Sequence, residues 1–212
     1  MAVNLKDARG TICLLRPERM SEYPRLVTTR HTGNELFQGD GAQPGMSVLS
    51  FWRWAASDLV SNTMRGVLAE YIVASALGIA DGTRSEWDAY DLKSPEGTRI
   101  EVKSASYIQS WRHANLSKII FGIRPTRRWD ADTNLLSADL RRQADVYVFC
   151  VLAHQEQRTL NPLNLDQWDF YVLPSGVLDA ALPTQKSIGL SSLLKLGPTH
   201  TKYCGLAAAI RR

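Results

Sequence analysis

Residues 64–103 constrain the fold most, because a helical pattern is followed there by a hairpin pattern. Side-chain oxygens at residues 61–63 can cap the start of the helix, and Gly78 stands where a terminal glycine ends one. Glu70 is the only charged residue between positions 65 and 81. A carboxylate on such an apolar helix is costly to bury unless a cation or several donors meet it. The alternative is a surface glutamate on a narrow polar side.

The next segment predicts a β-hairpin. Residues 87–93 and 99–103 alternate in polarity, and Ser-Pro-Glu-Gly between them suits a type I turn with Gly97 in the left-handed conformation. In this register Asp91 lies opposite Glu101, with Cβ atoms about 5 Å apart. Two bare carboxylates at that distance repel by roughly 3 kcal/mol at an effective dielectric constant of about 20. The pair therefore needs a proton or a cation, although a one-residue change of register would separate it.

Glu70 on a helix, then Asp91, then Glu101-Val102-Lys103 on a strand resemble the PD-(D/E)xK nuclease superfamily. This superfamily includes restriction endonucleases, DNA-repair nucleases and Holliday-junction resolvases. The resemblance covers about 40 residues, and the residue before Asp91 is tyrosine instead of the family's proline. It implies an α/β fold with a restriction-endonuclease-like core, in which a central mixed β-sheet is flanked by helices.

The resemblance also implies an endonuclease that hydrolyses DNA phosphodiester bonds with Mg²⁺ or Mn²⁺. Asp91 and Glu101 would be the principal metal ligands, with the Val102 carbonyl as an additional one. Lys103 would orient the attacking water or stabilise developing charge, and Glu70 would be a further ligand, directly or through water. Oxygen ligands of this kind suit Mg²⁺ and leave positions open for phosphate and water. The alternative is a salt-bridged hairpin in which Lys103 pairs with Glu101 or Asp91.

Two regions contain no acidic residue, residues 104–129 and residues 186–212. The first mixes basic and aromatic side chains, which suits contacts with a phosphate backbone and exposed bases. The net charge of +4 and the pI near 9.0 are compatible with an anionic partner. The alternative for the first region is a solvated loop whose aromatic side chains belong to the core. The predicted nucleic-acid-binding residues are Gln109, Arg112, Lys118, Arg124, Arg127 and Arg128.

The rest of the chain completes one predicted domain over residues 1–212. Its parts are an N-terminal extension (1–45), a catalytic core (46–155) and a C-terminal segment that completes the core (156–212).

The remaining local patterns predict individual elements. A first helix should use Phe51, Trp54 and Leu59 as core residues, and a short helix or strand is expected near residues 12–15. Residues 137–154 predict a helix that leads into a central strand buried on both faces. A strand over residues 169–173 and a short helix after Pro174–Ser175 should follow. The three cysteines lack a CxxC pair, which predicts reduced, buried thiols and no zinc site.

Several functional classes lack support. The sequence has no secretory signal pattern and no membrane-spanning apolar run, which predicts a cytoplasmic protein without a membrane partner. The four histidines are scattered, and no P-loop, GxGxxG or HExxH motif is present. A restriction or phage-defence endonuclease is the first prediction, and a repair or recombination nuclease such as a junction resolvase is the alternative. A non-catalytic DNA-binding or partner-binding module is a second alternative. The resemblance also allows a homodimer.

Overall fold

The computed structural model describes residue 23 and residues 26–41, 45–86, 88–130 and 133–212. The element predicted near residues 12–15, together with Cys13, lies outside these residues. The helices and strands, numbered in chain order, are α1 (Val48–Ala56), α2 (Asn62–Leu77), β1 (Leu92–Lys93), β2 (Arg99–Ser106), β3 (Ile120–Gly122), β4 (Thr126–Asp130), β5 (Leu135–Arg141), β6 (Val146–Leu152), β7 (Trp168–Pro174), α3 (Ser175–Ala181), β8 (Ser187–Gly189), α4 (Leu190–Lys195), β9 (Thr199–Thr201) and α5 (Tyr203–Ile210).

The central sheet has five strands in the order β1-β2-β6-β7-β9. Strand β2 runs parallel to β6, and the other neighbouring pairs are antiparallel. The predicted α/β fold with a central mixed sheet and flanking helices is therefore confirmed. Two smaller pairs stand beside this sheet, β3 with β8 and β4 with β5.

Strand β6 is covered on both faces, as predicted. Its alternate residues Val148, Cys150 and Leu152 pack with α2 and α5. The intervening residues, including Phe149, pack on the opposite face with β3, α3 and α4. The sheet thus separates two hydrophobic layers. Because side chains alternate along a strand, successive residues of the neighbouring strand β2 face one layer and then the other.

Helix α2 begins and ends where the sequence indicates. The Ser61 hydroxyl accepts a hydrogen bond from the Met64 N–H, and Gly78 adopts a φ of +71° at the other end. The Gly78 N–H donates to the Ser75 carbonyl, which satisfies one of the last carbonyls of the helix. Strand β7 and helix α3 also confirm the predicted strand and the short helix after Pro174.

The hairpin formed by β1 and β2 has the predicted turn and register. Leu92 pairs with Ile100, and the same register places Asp91 opposite Glu101. The Gly97 N–H donates to the Ser94 carbonyl at 2.9 Å, and Gly97 has a φ of +95°.

Strand β1 is shorter than the predicted strand, which started at residue 87. It contains only Leu92 and Lys93, while residues 88–91 form bends, and residue 87 lies outside the described residues. The cause is the Asp91 side chain, whose Oδ2 accepts the Val102 N–H at 2.7 Å. A short polar side chain in this position takes the place of a backbone partner and ends the ladder.

The prediction that the first helix belongs to the core is wrong. Helix α1 has no buried residue, Phe51 and Trp54 are 48% and 85% exposed, and Leu59 lies beyond its end. Its contacts are with the preceding loop, where the Leu49 N–H donates to the Gly33 carbonyl. Amphipathic spacing identifies the apolar side of a helix but not the element that covers it.

The prediction of a helix at the start of residues 137–154 is also wrong. Strand β5 occupies that position and forms a hairpin with β4. The turn between them explains the difference. Asp130 Oδ1 accepts the Thr133 N–H at 3.0 Å, and Asn134 adopts a φ of +56° that asparagine tolerates better than most residues. Turn chemistry therefore overrides the helical tendency of the following residues.

The base of the β4–β5 hairpin is fixed by the two residues that follow β5. The buried Arg142 side chain donates from Nε to the Ile123 carbonyl at 2.9 Å and from Nη1 to Asp179 Oδ1 at 2.6 Å. Gln143 Nε2 donates to the Thr126 carbonyl at 2.8 Å. These bonds join the hairpin to β3 and α3.

The two cysteines in the described part of the chain are free thiols. Cys150 is buried as predicted, whereas Cys204 is exposed, because the face of α5 that carries it points away from the sheet. No helix within the described residues is long and apolar enough to cross a membrane.

Candidate active site

A cleft of about 330 Å³ opens between the β1–β2 hairpin and the β4–β5 hairpin, and we call it the acidic cleft. The segment before β1 supplies most of its wall, Glu101 comes from β2, and three residues come from β4. Its lining residues are Glu86, Asp88, Ala89, Tyr90, Asp91, Glu101, Thr126, Arg127 and Trp129.

Asp91 is the most perturbed carboxyl group of the acidic cleft. Burial, followed by the negative charge of Glu101, raises its pKa from 3.8 to about 6. The Lys103 ammonium and the Val102 N–H act in the opposite direction but do not cancel these effects. The charge of Glu70 raises this pKa further. The charge of Glu101 therefore acts on Asp91 in the direction that the sequence predicted, although burial has the larger effect.

Lys103 lies on the same face of β2 as Glu101, as the strand alternation requires. Its Nζ is 2.5 Å from Glu101 Oε1, and both side chains are mostly buried. This contact matches the salt-bridged alternative for Lys103. It also holds an ammonium group beside the acidic cleft, where it can reach a group bound between the two carboxylates.

Glu70 approaches from the other face of the sheet, because α2 packs against the side of β2 that carries Ile100 and Val102. Arg84 binds its carboxylate at both oxygens, with Nε–Oε2 at 2.5 Å and Nη2–Oε1 at 3.0 Å. Glu70 and Arg84 line a separate cleft with Leu92. The sequence predictions did not include Arg84, although it is the only basic residue between positions 65 and 93.

The donor set suits a hard divalent cation. Among residues 26–41, 45–86, 88–130 and 133–212, no group of three or more His, Cys, Asp or Glu side chains is arranged to hold a metal ion. Mg²⁺, however, commonly uses one or two carboxylates together with substrate phosphates and water. Asp91 and Glu101 provide two such carboxylates. The Val102 N–H faces Asp91, and in an extended strand the carbonyl of the same residue faces that side too.

The structure divides the predicted nucleic-acid-binding residues between different places. Arg127 lines the acidic cleft. Arg112, Arg124 and Arg128 are exposed, and Arg128 Nη2 lies 3.4 Å from Asp130 Oδ2. Lys118 and Gln109 line a different cavity.

That cavity is a second cleft of about 280 Å³ next to β2, and we call it the Arg65 pocket. Sequence reasoning did not identify Arg65 as a site residue. The lining residues of the Arg65 pocket are Asn62, Arg65, Ser104, Ala105, Ser106, Gln109, Lys118 and Ile120.

Comparison with known proteins identifies one matching family. No curated protein matches this chain. The family model described as Bacteriophage T4 endonuclease IV matches residues 47–190, which is more than half of the chain. Glu70, Asp91, Glu101 and Lys103 all fall within the matched segment. The chain therefore belongs to the bacteriophage T4 endonuclease IV family, a family of nucleases.

Proposed function

We propose that this protein is a divalent-metal-dependent DNA endonuclease with a PD-(D/E)xK-type site in the acidic cleft. The observation that carries the proposal is that Asp91 and Glu101, opposite each other in the hairpin register, both line that cleft, with Lys103 in contact with Glu101. Membership of an endonuclease family supports the reaction class. The metal dependence and the superfamily rest on the residues themselves.

The charge of the acidic cleft favours a cation as part of the site. Glu86, Asp88, Asp91 and Glu101 line it, and among the described residues Arg127 is its one basic lining residue, while Arg84 and Lys103 pair with Glu86 and Glu101 from beside it. A phosphodiester entering this cleft would meet an excess of negative charge in a partly buried setting, where charges interact more strongly than in water. A bound divalent cation would reverse that repulsion and lower the pKa of Asp91.

Each residue then has a role that follows from its position. Asp91 and Glu101, with the Val102 carbonyl, would hold Mg²⁺ or Mn²⁺. When bound, the metal supplies charge neutralisation at the phosphate and an activated water. Lys103 holds a positive charge beside Glu101, where it can stabilise developing negative charge or orient the water. Glu70 contributes negative charge from the opposite face and is the proposed outer ligand.

The proposed substrate is DNA, which the endonuclease family and a basic residue at the acidic cleft both support. Arg127 lies at the acidic cleft, where it can contact the phosphate backbone of a bound strand. Within the endonuclease proposal, a restriction or phage-defence role is the first choice and a junction-resolving or repair role is the alternative. A homodimer would fit either role.

The test is digestion of defined duplex, single-stranded and branched DNA with Mg²⁺, with Mn²⁺ and with a chelator, followed by sequencing of the new ends. We expect cleavage that requires the metal and is lost in Asp91→Ala and Lys103→Ala. Lys93→Ala, an exposed lysine of the same hairpin, is the matched control. Thermal unfolding of each variant shows whether the fold is retained.

Two outcomes would overturn the proposal. Cleavage that survives both substitutions would place the site elsewhere. DNA binding that is unchanged by Mg²⁺, without any cleavage, would favour a non-catalytic DNA-binding module on the same scaffold. Product patterns from the three DNA types distinguish a restriction-type enzyme from a junction resolvase.

A further inference from the structure

The guanidinium of Arg65 is buried, with 4% of the residue exposed, and its hydrogen-bond partners among the described residues are all neutral. It donates to Ser104 Oγ at 3.2 Å, to the Val60 carbonyl at 2.8 Å, to Asn62 Oδ1 at 2.7 Å and to Gln109 Oε1 at 3.4 Å. Within the described part of the chain it forms no ion pair with a carboxylate. A buried charge of this kind is costly unless something else compensates it.

Arg142 shows how the same protein treats a buried arginine with a structural role. Its guanidinium binds two backbone carbonyls at short distance and the Asp179 carboxylate at 2.6 Å. Arg142 is therefore neutralised inside the protein, whereas Arg65 is not. Burial alone lowers the pKa of Arg65, yet an arginine stays charged in proteins. The positive charge at Arg65 is thus available to a ligand.

The Arg65 pocket presents donors to that ligand. Ser104 Oγ accepts from Arg65, so its own proton can point into the cavity, and the same holds for the amide hydrogens of Asn62. Lys118 lines the cavity as a second cation. The volume of about 280 Å³ far exceeds the roughly 30 Å³ share of one water, so a hydrated anion fits. Among the described residues, no carboxylate that would repel an anion lines this cavity.

Gln109 has a different part in this arrangement. Its Oε1 accepts from Arg65 and its Nε2 donates to the Ser106 carbonyl at 2.9 Å, so both ends of the amide are engaged within the protein. Gln109 therefore helps to hold the Arg65 guanidinium in place, and we regard Gln109 as a positioning residue for the Arg65 pocket. Its predicted direct contact with nucleic acid stays a prediction.

The two clefts lie along the same strand. Glu101 lines the acidic cleft, and Ser104, Ala105 and Ser106 line the Arg65 pocket. By strand alternation Ala105 shares a face of β2 with Glu101, whereas Ser104 lies on the face that packs against α2. Four residues of extended strand separate Glu101 from Ala105, a distance of about 13 Å. Phosphates of one nucleic-acid strand repeat about every 3.4 Å along a duplex axis. One bound strand can therefore reach both clefts within a few nucleotides.

We infer that the Arg65 pocket binds a backbone phosphate of the DNA strand, a few nucleotides from the bond that is cut. Arg65 supplies the fixed charge, while Lys118, Ser104 and Asn62 donate to the phosphate oxygens. This inference rests on the proposed function for the identity of the strand. It makes the Arg65 pocket a positioning subsite, distinct from the metal-dependent chemistry in the acidic cleft.

The first test measures binding without metal, so that it does not depend on cleavage. A labelled single-stranded oligonucleotide is titrated by fluorescence anisotropy at several salt concentrations. One lost phosphate contact lowers the slope of log K against log salt by about 0.7 for a single strand. We expect this change in Lys118→Ala and a weaker affinity in Ser104→Ala, because the hydroxyl donor is lost. Lys195→Ala, an exposed lysine that lines neither cleft, is the matched control.

The second test locates the phosphate. A neutral methylphosphonate replaces one phosphate at a time along the oligonucleotide. The wild-type protein should lose affinity at a position displaced from the cleaved bond, and Lys118→Ala should be insensitive at that same position. Arg65→Lys keeps the charge but loses the planar fork of donors, so it should weaken binding if thermal unfolding shows that it folds.

Three results would overturn the inference. They are an unchanged salt slope in Lys118→Ala relative to Lys195→Ala, a methylphosphonate profile that is the same in both proteins, and no oligonucleotide binding by the wild-type protein. Loss of the proposed nuclease activity would not produce these results, since no metal is present. A protein that binds as expected but never cuts DNA would overturn only the proposed function.

Discussion

The acidic cleft and the Arg65 pocket lie along one strand but carry opposite excess charge. In the part of the chain that the structure describes, four carboxylates line the first, while two cations and no carboxylate line the second. Lys103 pairs with Glu101 and Arg84 with Glu86, so the charge of the acidic cleft is partly compensated, whereas Arg65 has no carboxylate partner within the described residues. Uncompensated charge in a partly buried setting destabilises the free protein and favours a ligand of the opposite sign.

The two clefts differ in how the fold supports them. The acidic cleft is formed by irregular chain before β1 and by one exposed hairpin. The Arg65 pocket is formed by the start of α2 and the end of β2, and its guanidinium is held by four hydrogen bonds. The proposed chemistry would therefore take place in the cleft with less regular secondary structure, and the proposed phosphate contact in the one framed by a helix and a strand.

The largest expected effect comes from Glu101→Gln, which removes one of the two proposed metal ligands. A bound metal ion lowers the activation free energy of cleavage by several kcal/mol, so losing one of its ligands should reduce the cleavage rate by about a thousandfold. Metal-free oligonucleotide binding at the Arg65 pocket should change little. Single-turnover cleavage and anisotropy measure the two quantities separately. Glu96→Gln, an exposed acid in the turn of the same hairpin, is the control, and equal losses in both variants would contradict the prediction.

The next effect concerns the stability of the metal-free protein. The folded pKa of Asp91, about 6, lies above its ordinary value of 3.8. Folding is therefore opposed by this group at high pH, and the penalty disappears as the pH falls below about 4. Asp91→Asn should raise the free energy of unfolding by about 2–3 kcal/mol at pH 8 and by little at pH 4. Urea unfolding at both pH values measures the difference.

Asp139→Asn, in the exposed β5, is the matched control for that comparison. Saturating Mg²⁺ should stabilise the wild-type protein more than Asp91→Asn, since a ligand that binds only the folded state raises its stability. If Asp91→Asn raised the free energy of unfolding equally at pH 4 and pH 8, repulsion in the acidic cleft would not be the cause of the increase.

Arg84 should tune the acidic cleft from outside. Its pKa is raised mainly by the hydrogen bond to Glu70 and also by the charges of Glu86 and Asp91, so its guanidinium faces these acids. Arg84→Ala should raise the pKa of Asp91 further, because a nearby positive charge is lost and the Glu70 carboxylate is left without its partner. The acidic limb of the pH–rate profile should move to higher pH. Arg84→Lys keeps the charge and should move it less; no movement in either variant would contradict this role.

The smallest expected effect is that of Arg127→Ala. If Arg127 contacts one phosphate at the acidic cleft, the salt slope of duplex binding should fall by about 0.9. The affinity should fall equally for different DNA sequences, because a phosphate contact carries no base information. Arg158→Ala, whose exposed side chain pairs with Glu156, is the control. A sequence-dependent loss would instead assign Arg127 to base recognition.

The parts of the fold that local chemistry determines could be predicted from the sequence. The caps of α2 depend on Ser61 and Gly78, and the β1–β2 register depends on the turn that ends at Gly97. Both signals lie within a few residues of the feature they determine. The proximity of Asp91 and Glu101 followed from that register.

Features that depend on distant partners could not be predicted in this way. Phe51 and Trp54 have helical spacing, but no described element covers them. Arg84 reaches Glu70 through an irregular loop, and Arg65 is buried only because β2 and Gln109 pack over it. Single-sequence patterns do not contain such packing. The division of the chain into one domain, the homodimer and the individual DNA contacts stay predictions.

The β4–β5 hairpin has one more consequence, which concerns how the acidic cleft could be altered. It forms a wall of the acidic cleft, yet its outer strand contributes little to either hydrophobic layer, since Leu135, Leu136 and Leu140 are exposed. Arg142 and Gln143 hold its base. Insertions or substitutions beyond that base would cost little folding free energy. The lining of the acidic cleft could therefore be altered through this hairpin with little effect on the two hydrophobic layers.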